Sequence, residues 1–317
     1  MTNHLSHDDK IVITGAAGLV GQNLIVELEA QGYRNLVAID KHHYNLCVLR
    51  DLHPEVVIVE SDLAEPGPWA DAFAGAAVVV QLHAQITGKH HADFERNNID
   101  ATRHVLDACK RHAVPYLVHI SSSVVNSVAD DSYTRTKKAQ EALVVQCGLR
   151  HCVLRPTLMF GWFDPKHLGW LSRFMAKTPV FPIPGDGRFM RQPLYERDFC
   201  RCIVKAMQTQ PEGAVYDIVG DTRVDYVDII RTIKKAKRLR TLIVPIPIGL
   251  FAFLLRTYAL FSRKPPFTAD QLNALRAGDD FCGIDTLVTF GVRQTPFEQA
   301  IAESYCDPRY SHIVLRR

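Results

Sequence analysis

Ile11-Val-Ile-Thr-Gly-Ala-Ala-Gly-Leu-Val-Gly21 is the stretch that decides the fold. Its first four residues form a short β-branched run, the pattern of a strand buried on both faces. Gly15, Gly18 and Gly21 follow at three-residue spacing. A helical pattern then runs from Leu19 to about Ala30, with Val20, Leu24, Ile25 and Leu28 on one face. Strand, glycine turn and helix in that order read as a dinucleotide-binding unit. The glycines let the chain turn tightly and let a pyrophosphate approach, while the helix N-terminus offers free N–H groups and a favourable dipole. A turn that only packs the helix on the sheet is the alternative.

Outward from this unit the pattern repeats. Leu36–Asp40, Val56–Glu60, Ala77–Leu82, Tyr116–Ser121 and Cys152–Arg155 read as strands, with helices from about Asn98 to Lys110 and from near Tyr133. Alternating strands and helices predict an α/β, Rossmann-type, doubly wound parallel sheet. Asp40 ends the second strand, where a carboxylate can accept hydrogen bonds from both ribose hydroxyls and would repel a 2′-phosphate. NAD is therefore the expected cofactor rather than NADP. Asp62, after the third strand, is placed either to contact the adenine or simply to cap a turn.

After Phe160, glycines, prolines and aromatics in irregular order predict a loop-rich lobe up to Pro193. Sheet-like signals return at Ala214–Val219, followed by a helix around Tyr226–Ala236. The remainder reads as a small, mostly helical C-terminal lobe. The expected division is a dinucleotide-binding domain of 1–160 plus about 192–236, and a substrate lobe of about 161–191 and 237–317.

Composition narrows the class. The 317 residues carry 37 Lys plus Arg against 34 Asp plus Glu, a net charge of +3, so nucleic acid is not an expected partner. An apolar content of 47% excludes a disordered chain. The N-terminal stretch is polar, without the apolar run of a secretory signal, and the eight cysteines are scattered. A cytoplasmic protein with free thiols and no metal site is expected.

The segment Leu242–Phe261 complicates a soluble reading, since it is apolar and about as long as a membrane span. Pro245, Pro247 and Arg256 interrupt it. A buried hinge and helix, or peripheral contact with a membrane, are the two readings, and no transmembrane span is expected.

Tyr133 and Lys137 stand four apart, on one face of a helix. A free phenol is a poor base at neutral pH, but a neighbouring ammonium and the positive nicotinamide ring favour the phenolate. Tyr133 could then remove a proton from a substrate hydroxyl whose carbon is being oxidised. Ser123, at the end of the fifth strand, could hold the reacting oxygen, with Ser122 open as the alternative.

Thr14-Gly-Ala-Ala-Gly-Leu-Val-Gly21, Asp40, Ser123 and Tyr133-x-x-x-Lys137 together resemble an extended short-chain dehydrogenase/reductase. More narrowly, they resemble the NAD-dependent epimerase/dehydratase family of sugar-nucleotide enzymes. Asn98-Ile-Asp-Ala-Thr102, Glu141 and Leu154-Arg-Pro-Thr-Leu-Met-Phe-Gly161 extend the likeness to about residues 10–235. The resemblance implies a homodimer and a nucleoside-diphosphate sugar as small-molecule substrate, oxidised at a secondary alcohol as in UDP-sugar 4-epimerases. It sets the cofactor against Gly15, Ala17, Gly18, Leu19, Val20, Gly21, Asp40, Lys41, Asp62, Leu63, Leu82, His83, Ala84, Asn98, Ser121, Tyr133, Lys137 and Pro156. Substrate falls to Ser123 and to Arg191, whose planar donors suit a diphosphate.

Three features depart from that family. Only nine residues separate Ser123 from Tyr133, Leu158 stands where an asparagine is common, and Val124-Val125 replace the Asp-Glu pair of 4,6-dehydratases. Without that acid to expel hydroxide as water, a 4,6-dehydratase is not expected. The short loop and the 245–261 segment also resemble hydroxysteroid-dehydrogenase-like and complex-I-associated members. Those imply an alcohol dehydrogenase or a non-catalytic NAD(H)-binding structural subunit.

Overall fold

The first strand, β1 (Lys10–Thr14), is buried on both faces because its alternating side chains feed two different cores. Ile11 and Ile13 point into one, Val12 into the other, as the two-residue period of a strand dictates. The computed structural model describes residues 5–261 and 281–316. Six further strands join β1: β2 (Leu36–Asp40), β3 (Val57–Glu60), β4 (Ala76–Gln81), β5 (Leu117–Ile120), β6 (His151–Pro156) and β7 (Val215–Ile218). They lie in the order β7-β6-β5-β4-β1-β2-β3, all parallel. The chain winds outward from β1 to β3, then returns to begin β4 on the other side of β1. That reversal opens a crevice at the carboxyl ends of β1 and β4, where such sheets bind ligands.

Helices α1 (Leu19–Ala30) and α6 (Glu196–Thr209) cover one face, through Leu24, Ile25, Leu28, Phe199 and Ile203. Helices α3 (Ala101–Arg111) and α4 (Ser132–Val145) cover the other, with Val105, Leu106 and Val144. Two elements of this half escape a sequence reading. Helix α2 (His43–Leu52) begins with His42 accepting from the Asn45 N–H, and buries only Asn45, Leu46 and Leu49. The helix expected from about Asn98 starts earlier, as a π-helical stretch over Glu95–Asp100 leading into α3.

The lobe gathers around a third core. The region 161–191, expected to be loop-rich, contains helix α5 (His167–Lys177), whose Leu168, Leu171 and Met175 are buried. Pro165 and Pro179 bracket it, and its apolar spacing was hidden among aromatics. Helix α7 (Tyr226–Ala236) buries Val227, Ile229, Ile230 and Ile233 in this third core, beside Met175, Phe181 and Ile301. The packing of α7 is therefore with the lobe, although its sequence position grouped it with the dinucleotide half. Helix α9 (Phe297–Cys306) packs on α7.

Leu242–Ile246 is a strand paired in parallel with Val180–Pro184, and helix α8 (Ile248–Phe261) follows directly after Pro247. The segment is not a buried hinge: Leu242 and Phe253 are each more than 60% exposed. Among the described residues, no helix is long and apolar enough to cross a membrane. The stretch 262–280, assigned by sequence to the lobe, lies outside the described residues.

Candidate functional site

Two of the three loop glycines are sterically obligatory. Gly15 has φ +72°, and a Cβ there would sit 2.5 Å from the backbone nitrogen of His83. A Cβ on Gly21 would come within 2.4 Å of the Ala16 carbonyl oxygen, so α1 can pack this close to the turn only without a side chain. Gly18 opens α1 with no side-chain cap, which leaves first-turn N–H groups free to meet an anion.

In front of this turn lies a cavity of about 260 Å³. Gly15, Gly18, Leu19, Val20, Gly21, Asp40, Lys41, Asp62, Leu63, Leu82, His83 and Ala84 all line it. Asp40 accepts from the His42 N–H at 2.9 Å and the Ala17 N–H at 3.0 Å. Ala17 thus acts by fixing that carboxylate. Burial pushes the Asp40 pKa up against these N–H donors. Asp62 accepts from Ala64 N–H at 3.0 Å, the turn-capping alternative, and also from Arg96 at 2.8 Å and Lys41 at 3.2 Å. Despite the desolvation that opposes it, its pKa is lowered by Ala64 and Arg96.

Six further expected residues stand outside the cavity wall. Ala17 braces Asp40, and Pro156 closes β6. Ser121 lies against the Glu141 carboxylate. Asn98 is fully buried, accepting from the Gln85 N–H at 2.6 Å and donating to Thr136 at 3.0 Å. It pins the chain after β4 to α4 rather than facing the cavity. Its neighbour Asn97 lines the cavity instead, with Ala101 one turn on. Ser61, Gln85, Ile86 and Met159 also line it and carry no sequence signal; of the missed residues, only Asn97 and Ala101 were open to reading, from their helical phase.

The remaining two, Tyr133 and Lys137, lie on α4. Asp131 caps that helix, accepting from the Tyr133 N–H at 2.9 Å and the Thr134 N–H at 3.0 Å. This fixes Tyr133 in the first turn. Burial raises the phenol pKa; hydrogen bonding with Ser122 lowers it, and the Asp131 charge raises it again. Ser122 is therefore the serine set against the phenol, whereas Ser123 begins the 3₁₀ turn Ser123–Asn126. One residue separates the two because β5 ends at Ile120 and the chain turns at Ser122.

Lys137 is 1% exposed. Its Nζ donates to the Ile120 carbonyl at 3.0 Å and to Gln140 Oε1 at 2.5 Å. Burial brings its pKa down to about 7, against the opposing pull of Glu141. Glu141 is held by Arg155 of β6, through a donated bond of 3.0 Å from Nε and a second from the guanidinium. Gln140 also donates to Thr102 at 2.9 Å and to the His83 carbonyl at 3.2 Å. The His83 ring in turn bonds Thr14 at 2.9 Å and Thr102 at 3.2 Å. Burial and the Lys137 and Lys41 charges push its pKa down to about 3, so the imidazole is neutral. This relay from Thr14 to Lys137 couples the glycine turn to α4, and its partners come together only in the fold.

Arg191 lies in the lobe, in a short antiparallel pairing with Val224. Its charge acts on the buried Tyr226 phenol, lowering a pKa that burial raises. Leu158 and Ile86 are exposed apolar side chains on segments that carry cavity-lining residues.

A glycine cradle at the switch point of this sheet, with a Tyr-x-x-x-Lys pair in the helix after the fifth strand, is the build of extended short-chain dehydrogenases/reductases, and this chain is one. It belongs to the NAD-dependent epimerase/dehydratase family, whose sequence profile matches residues 11–219. A ceramide reductase of Caulobacter vibrioides is 28% identical over 173 residues, covering 55% of this chain and 53% of the relative, so the match spans about half that protein's length. A dTDP-glucose 4,6-dehydratase of Streptomyces niveus is 25% identical over 72% of this chain and 77% of its own. The mitochondrial NADH dehydrogenase [ubiquinone] 1 alpha subcomplex subunit 9 of Mus musculus is 22% identical over 90% and 77%. Among solved structures, UDP-glucuronic acid 4-epimerase from Bacillus cereus, in complex with NAD, superposes with a TM-score of 0.69. It is 22% identical and covers 93% of this chain and 96% of its own, a likeness of fold.

Proposed function

We propose that the chain is an NAD-dependent enzyme that oxidises a secondary alcohol on a nucleoside-diphosphate sugar, in the manner of a UDP-sugar 4-epimerase. The observation that carries this is the meeting of Ser122 with Tyr133, four residues before the buried Lys137, whose own Nζ is joined through Gln140 to His83 of the cofactor cavity. The cradle fits the cofactor: glycine is required where the backbone must approach, and Asp40 is fixed at the end of β2. Gly15–Gly21 would hold the pyrophosphate and Asp40 the ribose hydroxyls. NAD, when bound, supplies the two-electron acceptor for the carbon being oxidised.

The chain's own residues handle the proton and the oxygen. Ser122 holds the reacting hydroxyl against Tyr133, and Tyr133 takes its proton. Lys137, four residues beyond Tyr133 and protonated below about pH 7, is tied to the Ile120 carbonyl and Gln140, and Arg155 holds Glu141 of the same helix. Arg191 supplies the planar donors for a diphosphate. Val124 and Val125 offer no acid to expel a hydroxyl, so the reaction ends short of 4,6-dehydration. The active form is a homodimer working in a reducing cytoplasm, where the eight unbridged cysteines stay thiols. Sizing at low protein concentration tests the dimer.

A second reading has its own support. Exposed Ile86 and Leu158 would favour an apolar alcohol of the hydroxysteroid type over a sugar. The deciding experiment is turnover of NAD(H) with a panel of UDP-sugars and sterols, on the wild type, Tyr133→Phe and Arg191→Ala. Tyr133→Phe abolishes turnover and leaves NAD binding intact; unchanged turnover overturns the mechanism. Arg191→Ala weakens a nucleoside-diphosphate substrate by about 2 kcal/mol, the scale of a charge-assisted hydrogen bond. No weakening assigns the apolar alcohol. NAD(H) binding without turnover of either class returns the structural-subunit alternative.

A further inference from the structure

The decapeptide Arg231-Thr-Ile-Lys-Lys-Ala-Lys-Arg-Leu-Arg240 carries six cations and no acid, in a chain whose net charge is only +3. It forms the end of α7 and the turn beyond, and it leads straight into the apolar strand Leu242–Ile246 and helix α8. Between the basic and apolar stretches lies an open groove of about 1080 Å³, far larger than the cofactor cavity. Arg231, Lys234, Lys235 and Arg238 line one wall, and Leu242 and Ile246 the other. Arg231 is paired with Asp228 at 2.8 Å. Lys234, Lys235 and Arg238 have no acidic partner among the described residues.

The apolar side is turned outward. Leu242 and Val244, two apart on the strand, are 62% and 37% exposed. Leu250, Phe253 and Leu254, at helical spacing on α8, are 48%, 63% and 49% exposed. Val180, paired with Leu242, is exposed beside them. Neither half of this surface serves the alcohol chemistry, which lies at the carboxyl ends of β1, β4 and β5.

We propose that this face, the basic end of α7 together with the strand 242–246 and α8, seats the protein on an anionic lipid bilayer. Charge selects that occupant over a second copy of the chain, since two copies meeting here would oppose cation to cation, whereas acidic headgroups neutralise them. The 14 described residues of α8 extend about 21 Å, short of the roughly 30 Å hydrocarbon core, and no helix among the described residues is long and apolar enough to cross it, so α8 is placed along the interface. Phe253 and its neighbours enter the headgroup boundary, and the cations of the groove meet the headgroups. The inference does not depend on which alcohol is oxidised.

Co-sedimentation of the full chain with vesicles tests it, comparing phosphatidylcholine alone with phosphatidylcholine and phosphatidylserine at about two to one. Binding is expected to the mixed vesicles only, and to weaken at about 0.5 M salt. Lys234→Gln/Lys235→Gln/Arg238→Gln lowers partitioning about a hundredfold, at roughly fivefold per cation. Leu250→Ser/Phe253→Ser/Leu254→Ser lowers it at unchanged circular dichroism. No binding to mixed vesicles overturns the proposal. So does binding that the triple-glutamine variant retains, complete displacement by millimolar inorganic phosphate, or a dimer on sizing that the serine variant alone dissociates.

Discussion

The glycine turn at residues 15–21 and the basic–apolar face at 231–254 sit in one chain and are built on opposite principles. At the turn, backbone approaches backbone so closely that a methyl group has nowhere to go, and the polar side chains behind it are joined in a hydrogen-bonded relay. On the lobe face, apolar side chains and unpaired cations stand in solvent, and a Cβ added at Gly249 meets nothing within 4 Å. A site that must hold one cofactor in one geometry is specified by what it excludes. A surface that meets an extended partner is specified by charge and area, and tolerates change.

Paired glycine substitutions put the largest strain on that contrast. Gly15→Ala places a Cβ 2.5 Å from the His83 nitrogen at a left-handed φ, and is expected to cost about 4 kcal/mol in stability, with loss of NAD binding. Gly249→Ala in α8 is expected to change stability by less than about 1 kcal/mol, in the stabilising direction. Urea denaturation with NAD titration measures both. A mild Gly15 variant would mean that the cradle yields, and the distinction between the two regions would fail.

Much of the first region could be read from the chain because its determinants are local. The run 11–21 carries its own strand, turn and helix, and twelve of the expected cofactor residues line the cavity. What escaped depends on contacts between distant segments. Helix α5 hides behind aromatics until Leu168, Leu171 and Met175 meet the third core. Ser122 and Ser123, both open in the sequence, differ in where β5 stops, and Asn97 and Asn98 in helical phase; which of each pair faces the phenol or the cavity depends on a rotation that composition does not encode. The bond from Gln140 to Thr102 joins residues 38 apart, and no periodicity announces it.

Ion pairs extend the comparison at smaller energies. Arg155 and Glu141 have side chains only 20% and 11% exposed, whereas Arg231 and Asp228 are 63% and 47% exposed. Arg155→Ala strips the buried Glu141 carboxylate of its hydrogen-bonded guanidinium partner, and is expected to destabilise by about 3 kcal/mol. Arg231→Ala removes a solvated pair and is expected to change stability by less than about 0.5 kcal/mol. Thermal and urea unfolding give both values. Equal losses would show that the lobe face is as tightly specified as α4.

The last contrast is read as a slope, not as a single free-energy difference. In the unfolded chain Lys137 keeps its proton up to its ordinary pKa of 10.5, while in the folded chain burial lets it go at about 7. Between those values the unfolded state binds one more proton than the native state, so the contribution of this residue to stability rises with pH across the window. Below about 7 both states are protonated, and the burial penalty is constant and at its largest. Lys137→Met removes the titrating group, and the difference in unfolding free energy between wild type and variant should change by about 1.4 kcal/mol per pH unit from about 7 to 10.5. Buried groups such as Cys109, whose thiol is pushed up to about 12, act with the opposite sign at high pH but are common to both proteins and cancel in the difference. The loss of the bonds to Ile120 and Gln140 shifts the variant's curve by a constant and leaves the slope alone. Parallel curves would show that Lys137 is solvated in the folded protein, and the buried ammonium would then have no place in the alcohol chemistry assigned to this side of the molecule.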